Sequence, residues 1–320
     1  MTIILQTLLD YFRPTIDFIF GHNIPFNVRW RLLLLQPISV ITIAVAKVPW
    51  LFRDKPWTEH TLALPGRTLR YIVFKSSANH GPAGRLRPLN LHIHGGAFLG
   101  GCPEMDASFC ELLATQTGAV VVSTSYRYSP RYPFPAAIDD VDAFIAHLQR
   151  VAATEFGADP TLLTTSGVSA GGNLALATCL ADGAHGDAET AIKATVTYCA
   201  SIDLRISPAK KPKPKGFPSV DPLFFLVPLF DSYPQPVRDA DKAQLENARM
   251  SPIVAKVEML PPRILMVIPT IDILLHEQLT FVERVKGEMA ANERYKGRRL
   301  ETKLYEGQLH GWVGCESFSH

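Results

Sequence analysis

Leu162-Leu163-Thr164-Thr165-Ser166-Gly167-Val168-Ser169-Ala170-Gly171-Gly172-Asn173 is the stretch on which the reading of this chain turns. Leu162 to Thr165 reads as a short buried strand, and Gly172 to Leu180 as a helix. Between them stands the pattern G-x-S-x-G. By itself the pentapeptide is a modest signal, arising by chance on the order of once in ten chains of this size. Its position sharpens it. A strand that turns directly into a helix through a serine needs small flanking residues, and the turn lifts the hydroxyl above the sheet edge. It also leaves the Ala170 amide at the helix start, where no intrahelical carbonyl is available and the N–H can face a developing oxyanion. An ordinary glycine-rich turn with no chemistry is the plain alternative.

Working outward, the upstream stretch His92-Ile93-His94-Gly95-Gly96-Ala97-Phe98 ends an apolar strand, Leu89 to His94, in consecutive glycines. Such a loop lets the amides of Gly95 and Gly96 face a ligand with no Cβ in the way, as a second oxyanion donor pair requires. Downstream, Asp272 follows a strand at Arg263 to Ile268, and His310 follows one at Glu301 to Tyr305. Loops at the carboxyl ends of parallel strands rise on one side of a sheet, so Ser169, Asp272 and His310 can converge there as nucleophile, orienting acid and base. Taken singly, Asp272 reads as an N-cap for a helix near Leu274 and His310 as a surface residue. The other histidines take structural readings: His94 braces the glycine loop, and His276 is exposed.

The remaining chain supplies a frame. A hairpin around Pro65-Gly66, strands at Ala119–Ser123 and Ile192–Tyr198, and helices at Ala136–Val151 and Leu275–Met289 alternate as a mostly parallel sheet covered on both faces requires. Two segments break the rhythm. The first 55 or so residues are apolar and helical in pattern, and residues 204–255 are proline-rich, reading as an inserted subdomain. In the insertion, Lys210, Lys211, Lys213 and Lys215 read as a solvated edge, and Leu223 to Val227 as an apolar lid. With 32 basic against 30 acidic residues, no global field points to nucleic acid. Five cysteines (Cys102, Cys110, Cys179, Cys199, Cys315) without a C-x-x-C pair argue against a disulfide framework and a zinc site. A start without a basic n-region, and no N-x-S/T sequon, lead us to expect a cytoplasmic protein. The run Leu32 to Ala46 is expected to be a buried or cap helix, broken at Gln36-Pro37 and too short to span a bilayer, with peripheral membrane contact as the alternative.

Together, His94-Gly95-Gly96-Ala97-Phe98, Tyr126-Arg127-Tyr128-Ser129-Pro130, Phe134-Pro135-Ala136-Ala137, Gly167–Asn173, Asp272-Ile273-Leu274 and His310-Gly311-Trp312 resemble the hormone-sensitive-lipase-like carboxylesterases. The resemblance implies one α/β-hydrolase domain over residues 1–320, with an eight-stranded sheet and a helical cap made by residues 1–55 and 204–255. It implies the Ser169–Asp272–His310 triad, an oxyanion hole from Gly95, Gly96 and Ala170, and hydrolysis of apolar small-molecule esters through an acyl-enzyme, with no metal or cofactor. Phe98, Phe224, Phe225 and Trp312 are the expected substrate-pocket residues. An amidase or acyltransferase would use the same triad. A non-catalytic ligand receptor on this scaffold is disfavoured by the presence of His310. The chain departs from the family pattern where Ser125 and Arg131 stand in place of acidic residues and where Ala97 replaces a third glycine.

Overall fold

The computed structural model describes residues 3–76, 84–181, 191–218, 223–240 and 242–312, so Cys315 lies outside the described residues. Among these residues eight strands form one sheet: β1 (Trp57–Leu64), β2 (Arg67–Phe74), β3 (Arg87–Ile93), β4 (Val120–Thr124), β5 (Ala158–Val168), β6 (Ala194–Tyr198), β7 (Arg263–Ile271) and β8 (Arg299–Leu309). Their spatial order is β1-β2-β4-β3-β5-β6-β7-β8. The β1–β2 hairpin joins β4 antiparallel, and the other pairs are parallel. Helices cover both sides of the sheet, so Val120-Val121-Val122 of β4 is wholly buried, and the neighbouring strands bury polar side chains such as His92 and Ser166 among the apolar ones.

Register does the positioning. Ile93 pairs with Gly167, Val168 with Tyr198, and Ile271 with Leu309. The strand ends that precede the glycine loop, Ser169, Asp272 and His310 therefore stand near one another along the carboxyl edge of the sheet.

Among the described residues, nine α-helical segments accompany the sheet. They are α1 (Ile3–Phe20), α2 (Phe26–Arg29), α3 (Arg31–Lys47), α4 (Ala107–Thr117), α5 (Ala136–Val151), α6 (Ala170–Ala177), α7 (Val227–Phe230), α8 (Gln235–Ala240) and α9 (Leu275–Ala291). In α5, Ile138, Val141, Phe144, Ile145 and Leu148 recur at helical spacing and are all buried. The sequence pattern gave no sign of α4. It buries Ala107, Cys110 and Ala114, residues too small to make an apolar period stand out.

Three expectations about the irregular segments need correction. Pro37 does not break the N-terminal apolar run, which continues from Phe26 to Leu51 as one helical stretch, long and apolar enough to cross a membrane by length and composition alone. Along its outer side Ile41, Val45 and Leu51 stand out into solvent. In the insertion, Lys211 is buried against Glu277 rather than solvated, and Phe224 is 64% exposed.

α3 is pinned inward at one polar point. Pro14 has no N–H to donate and disturbs the α1 hydrogen-bond ladder. Gln36 fills the gap: its Oε1 accepts from Thr15 N (3.0 Å) and Thr15 Oγ1 (2.8 Å), and its Nε2 donates to Tyr11 O (2.7 Å). Around this clip, Leu32 and Leu35 pack with Ile24, Val28, Leu99, Leu226 and Leu229, so the N-terminal helices and the insertion share one apolar cluster. Arg31 Nε donates to Phe225 O (3.1 Å) across the same contact.

Candidate active site

β5 ends at Val168 and α6 begins at Ala170, with Ser169 alone between them at φ 53° and ψ −115°. A non-glycine residue in that region is strained and is held only by surrounding bonds. Ser169 N donates to Tyr198 O (2.8 Å), and Ser169 O accepts from Asn173 N (3.1 Å). Asn173 Nδ2 in turn donates to Ser201 O (2.7 Å) and Met250 O (3.1 Å), fixing α6 to the loop after β6. Glycine at 171 is a steric requirement, since a Cβ there would collide with the carbonyls of Ile93 and His94.

Ser169 Oγ lies 3.0 Å from His310 Nε2, and His310 Nδ1 lies 2.9 Å from Asp272 Oδ2. An ionised carboxylate only accepts, so Nδ1 carries the proton and Nε2 is left to accept from the serine hydroxyl. The other Asp272 oxygen, Oδ1, accepts from Leu274 N (2.9 Å) at the entry to α9, which is the N-cap-like contact anticipated for it. Asp272 thus contacts both His310 and the start of α9. It is fully buried, whereas His310 keeps a face toward solvent. Burial disfavours a charged His310, but the hydrogen bond to Asp272 and the adjacent Cys199 outweigh it. They raise the imidazolium pKa well above the usual histidine value.

The glycine loop abuts this chain of groups. A Cβ on Gly95 would lie 3.2 Å from Val168 O and 3.5 Å from Ser169 Cβ, so the loop backbone runs directly beside the serine turn. The Ala170 amide, at the first position of α6, has no carbonyl partner within its helix. Ala97 and Phe98 continue the loop at φ 53° and 60°.

Several groups brace the loop. His94 Nδ1 donates to Gly95 O (2.7 Å), as the sequence reading anticipated. Burial lowers the His94 pKa to about 4, so the ring is neutral and its Nε2 accepts. Tyr128 Oη lies 3.2 Å from that Nε2 and 3.1 Å from Gly101 O, and shares its one proton between them. Tyr126 Oη donates to His94 O (3.1 Å), and Ser129 N to Phe98 O (2.8 Å).

The four pocket candidates fall in three places. Phe98 is buried behind the loop, stacked on Tyr233 at 4.0 Å, and so forms part of the core rather than an open pocket wall. Phe224 projects outward with Phe225 edge-on to it, and half-buried Trp312 packs on Tyr305 at 4.5 Å. Sequence reasoning missed other residues. Glu277 and Gln278, in the first turn of α9, accept the amides of Ile202, Asp203 and Ala200 and hold the loop that carries Cys199. Cys199 contributes the one group of three metal-capable side chains among the described residues. Its sulfur and the ligand atoms of Asp272 and His310 lie within 4.8 Å of one another, but the latter two are already engaged with each other. No local signal marks these residues, whose partners lie far along the chain.

The chain is 39% identical over 92 residues to an arylesterase of Saccharolobus solfataricus, covering 29% of this chain and 30% of that protein. It is 33% identical over 162 residues to the arylacetamide deacetylase of Oryctolagus cuniculus, covering 49% and 40%. These alignments span less than half the length of either relative. In three dimensions it resembles a hyperthermophilic esterase from the archaeon Pyrobaculum calidifontis, with a TM-score of 0.69 and 24% identity over 88% of this chain and 86% of that one, a likeness of fold. A family model described as alpha/beta hydrolase fold matches residues 90–314, which take in the glycine loop, Ser169, Asp272 and His310. The protein therefore belongs to the α/β hydrolase fold family, in its hormone-sensitive-lipase-like branch.

Proposed function

We propose that the protein is a carboxylic ester hydrolase in which Ser169, His310 and Asp272 act as nucleophile, general base and orienting acid on small apolar esters. The observation that carries the reading is the unbroken hydrogen-bond chain from Ser169 Oγ through His310 to Asp272, with the serine on a strained turn. His310 Nε2 takes the hydroxyl proton as Oγ adds to the ester carbonyl, and Asp272 steadies the imidazolium that forms. The oxygen's developing charge falls to the amides of Gly95, Gly96 and Ala170. His310 then returns the proton to the departing alcohol, and water, activated by the same ring, releases the acid from the acyl-enzyme.

Residues 1–55 and 204–255 act in this reading as a cap, supported by the apolar cluster they share beside the loop. Fluorophosphonate labelling tests the chemistry. Ser169→Ala and His310→Ala should both abolish labelling and lower turnover of a p-nitrophenyl ester by about 10⁴-fold or more. Retention of more than about a hundredth of the activity by Ser169→Ala would remove it as the nucleophile.

A further inference from the structure

Leu34, Ile38, Ile41, Val45, Val48 and Phe52 recur at alternating spacings of four and three residues along α3 and its extension, and all are exposed, Val45 by 71% and Phe52 by 83%. They form one outward apolar stripe. The inward face, with Leu32, Leu35 and Ile43, is buried. A helix that is apolar all round is covered all round in a stable protein, so this outward face lacks its covering. Isolated exposed leucines are ordinary, but an uninterrupted stripe five turns long marks a surface that meets something apolar.

The charges say what. Between Leu32 and Ala46 there is no charged residue, while Arg29 and Arg31 stand at one end and Lys47 and Arg53 at the other. Residues 10–55 carry six Lys or Arg against three Asp, and one of the acids, Asp17, is buried and paired with Arg13. Trp30 and Phe26 lie beside the first cation pair, and Phe52 beside the last. Apolar centre, aromatic flanks and cationic ends match the layers of an anionic bilayer surface, from acyl chains through the interface to phosphate. A second copy of the chain fits poorly, because either orientation of paired stripes would set cationic ends against each other. The Gln36 clip and the burial of Leu32, Leu35 and Ile43 hold the helix against the body, so it would lie along the membrane instead of crossing it.

We infer that the outward face of α3 seats this protein on an anionic phospholipid surface. The test is co-sedimentation of the full chain with phosphatidylcholine vesicles and with vesicles containing phosphatidylglycerol. Binding should favour the anionic vesicles by about tenfold or more, weaken with added salt, and be fully reversed by alkaline carbonate. Ile41→Glu with Val45→Glu and Leu51→Glu, at outward positions, should abolish it while leaving the circular dichroism spectrum unchanged. Lys47→Gln with Arg53→Gln gives a gentler variant that should lose the anionic preference alone. Equal sedimentation with and without vesicles overturns the inference. So does a triple variant that binds as well as wild type, resistance to carbonate (a spanning helix), or a dimer that the triple variant dissolves (a second copy as the covering).

Discussion

Lys211→Met should destabilise the protein, and by more at pH 8 than at pH 5. The ammonium of Lys211 is paired with Glu277, and the two side chains are 3% and 6% exposed. Removing one partner of a buried pair leaves an uncompensated charge, at a cost of about 3–5 kcal/mol. A cavity of about 210 Å³ borders both residues and gives the stranded carboxylate some room for water, which favours the lower end, about 3 kcal/mol. That is a large share of the ~5–15 kcal/mol by which such folds are stable. Burial already raises the Glu277 pKa above the ordinary 4.5 against the pull of Lys211, so losing the lysine raises it further. Between 4.5 and that raised value, the folded variant keeps a proton that the unfolded chain has released. Stability therefore falls as pH rises across the interval, by about 1.4 kcal/mol per unit. Urea unfolding at pH 5 and pH 8 reads both effects, with a midpoint about 1 M below wild type at the higher pH. Adding Glu277→Gln should restore much of the loss and remove the extra pH dependence, since the amide oxygen can still accept from Ile202 and Asp203. A Lys211→Met variant within about 1 kcal/mol of wild type at both pH values would refute the reasoning.

The raised pKa of His310 places the rising limb of kcat/KM above pH 6.5, because the base must be neutral to accept the serine proton; a limb below that value, or a flat profile, contradicts the role. Ala97, at φ 53°, should tolerate glycine with no loss of melting temperature, whereas Ala97→Val should cost about 2 kcal/mol or more, since a branched Cβ resists the left-handed region; equal melting temperatures would mean that the loop relaxes. Asp17→Asn should lower kcat more than it raises KM, through a loosened glycine loop, and Asp17→Glu should recover part of the loss; a change in thermal stability alone would reduce Asp17 to a structural role.

What the sequence disclosed and what it withheld divide along one physical line. The serine turn, the glycine loop and the strand ends before Asp272 and His310 were legible because each is a local conformation with local chemical needs. Gly171 must be small wherever the strand turns at Ser169, and the order of strands then brings the rest. Lys211 was misread because its partner is 66 residues away, and a lysine between prolines carries no mark of burial. Phe98 was misread because the loop's positive φ angles turn its ring back onto Tyr233. Composition showed that α3 is apolar, but which face meets the protein depends on Gln36 reaching the α1 backbone beside Pro14, a contact no periodicity encodes.

Two of the departures from the family pattern, Ser125 and Arg131, find other partners in this fold. Ser125 does not replace an acid electrostatically. Its Oγ donates to Arg70 O (2.9 Å) and accepts from Arg70 N (3.0 Å), tying the loop after β4 to β2 as one further rung of the sheet. The Arg70 side chain then pairs with Glu104, beyond the glycine loop. At position 131 the sign is reversed, and so is the partner: Arg131 meets Asp17, which α1 supplies from 114 residues away. Asp17 also holds Arg13 (3.1 Å), whose guanidinium lies 4.6 Å from the centre of the Tyr128 ring. Tyr128 touches His94, and His94 holds Gly95. Burial lowers the Arg13 pKa, and Asp17 is the strongest of the neighbours that offset this. Where the family resemblance implies an acid at position 131, the carboxylate at this place is Asp17 of α1. α1, to which the striped helix α3 is clipped through Gln36, is in consequence joined through Tyr128 and His94 to the loop whose amides would receive the oxyanion.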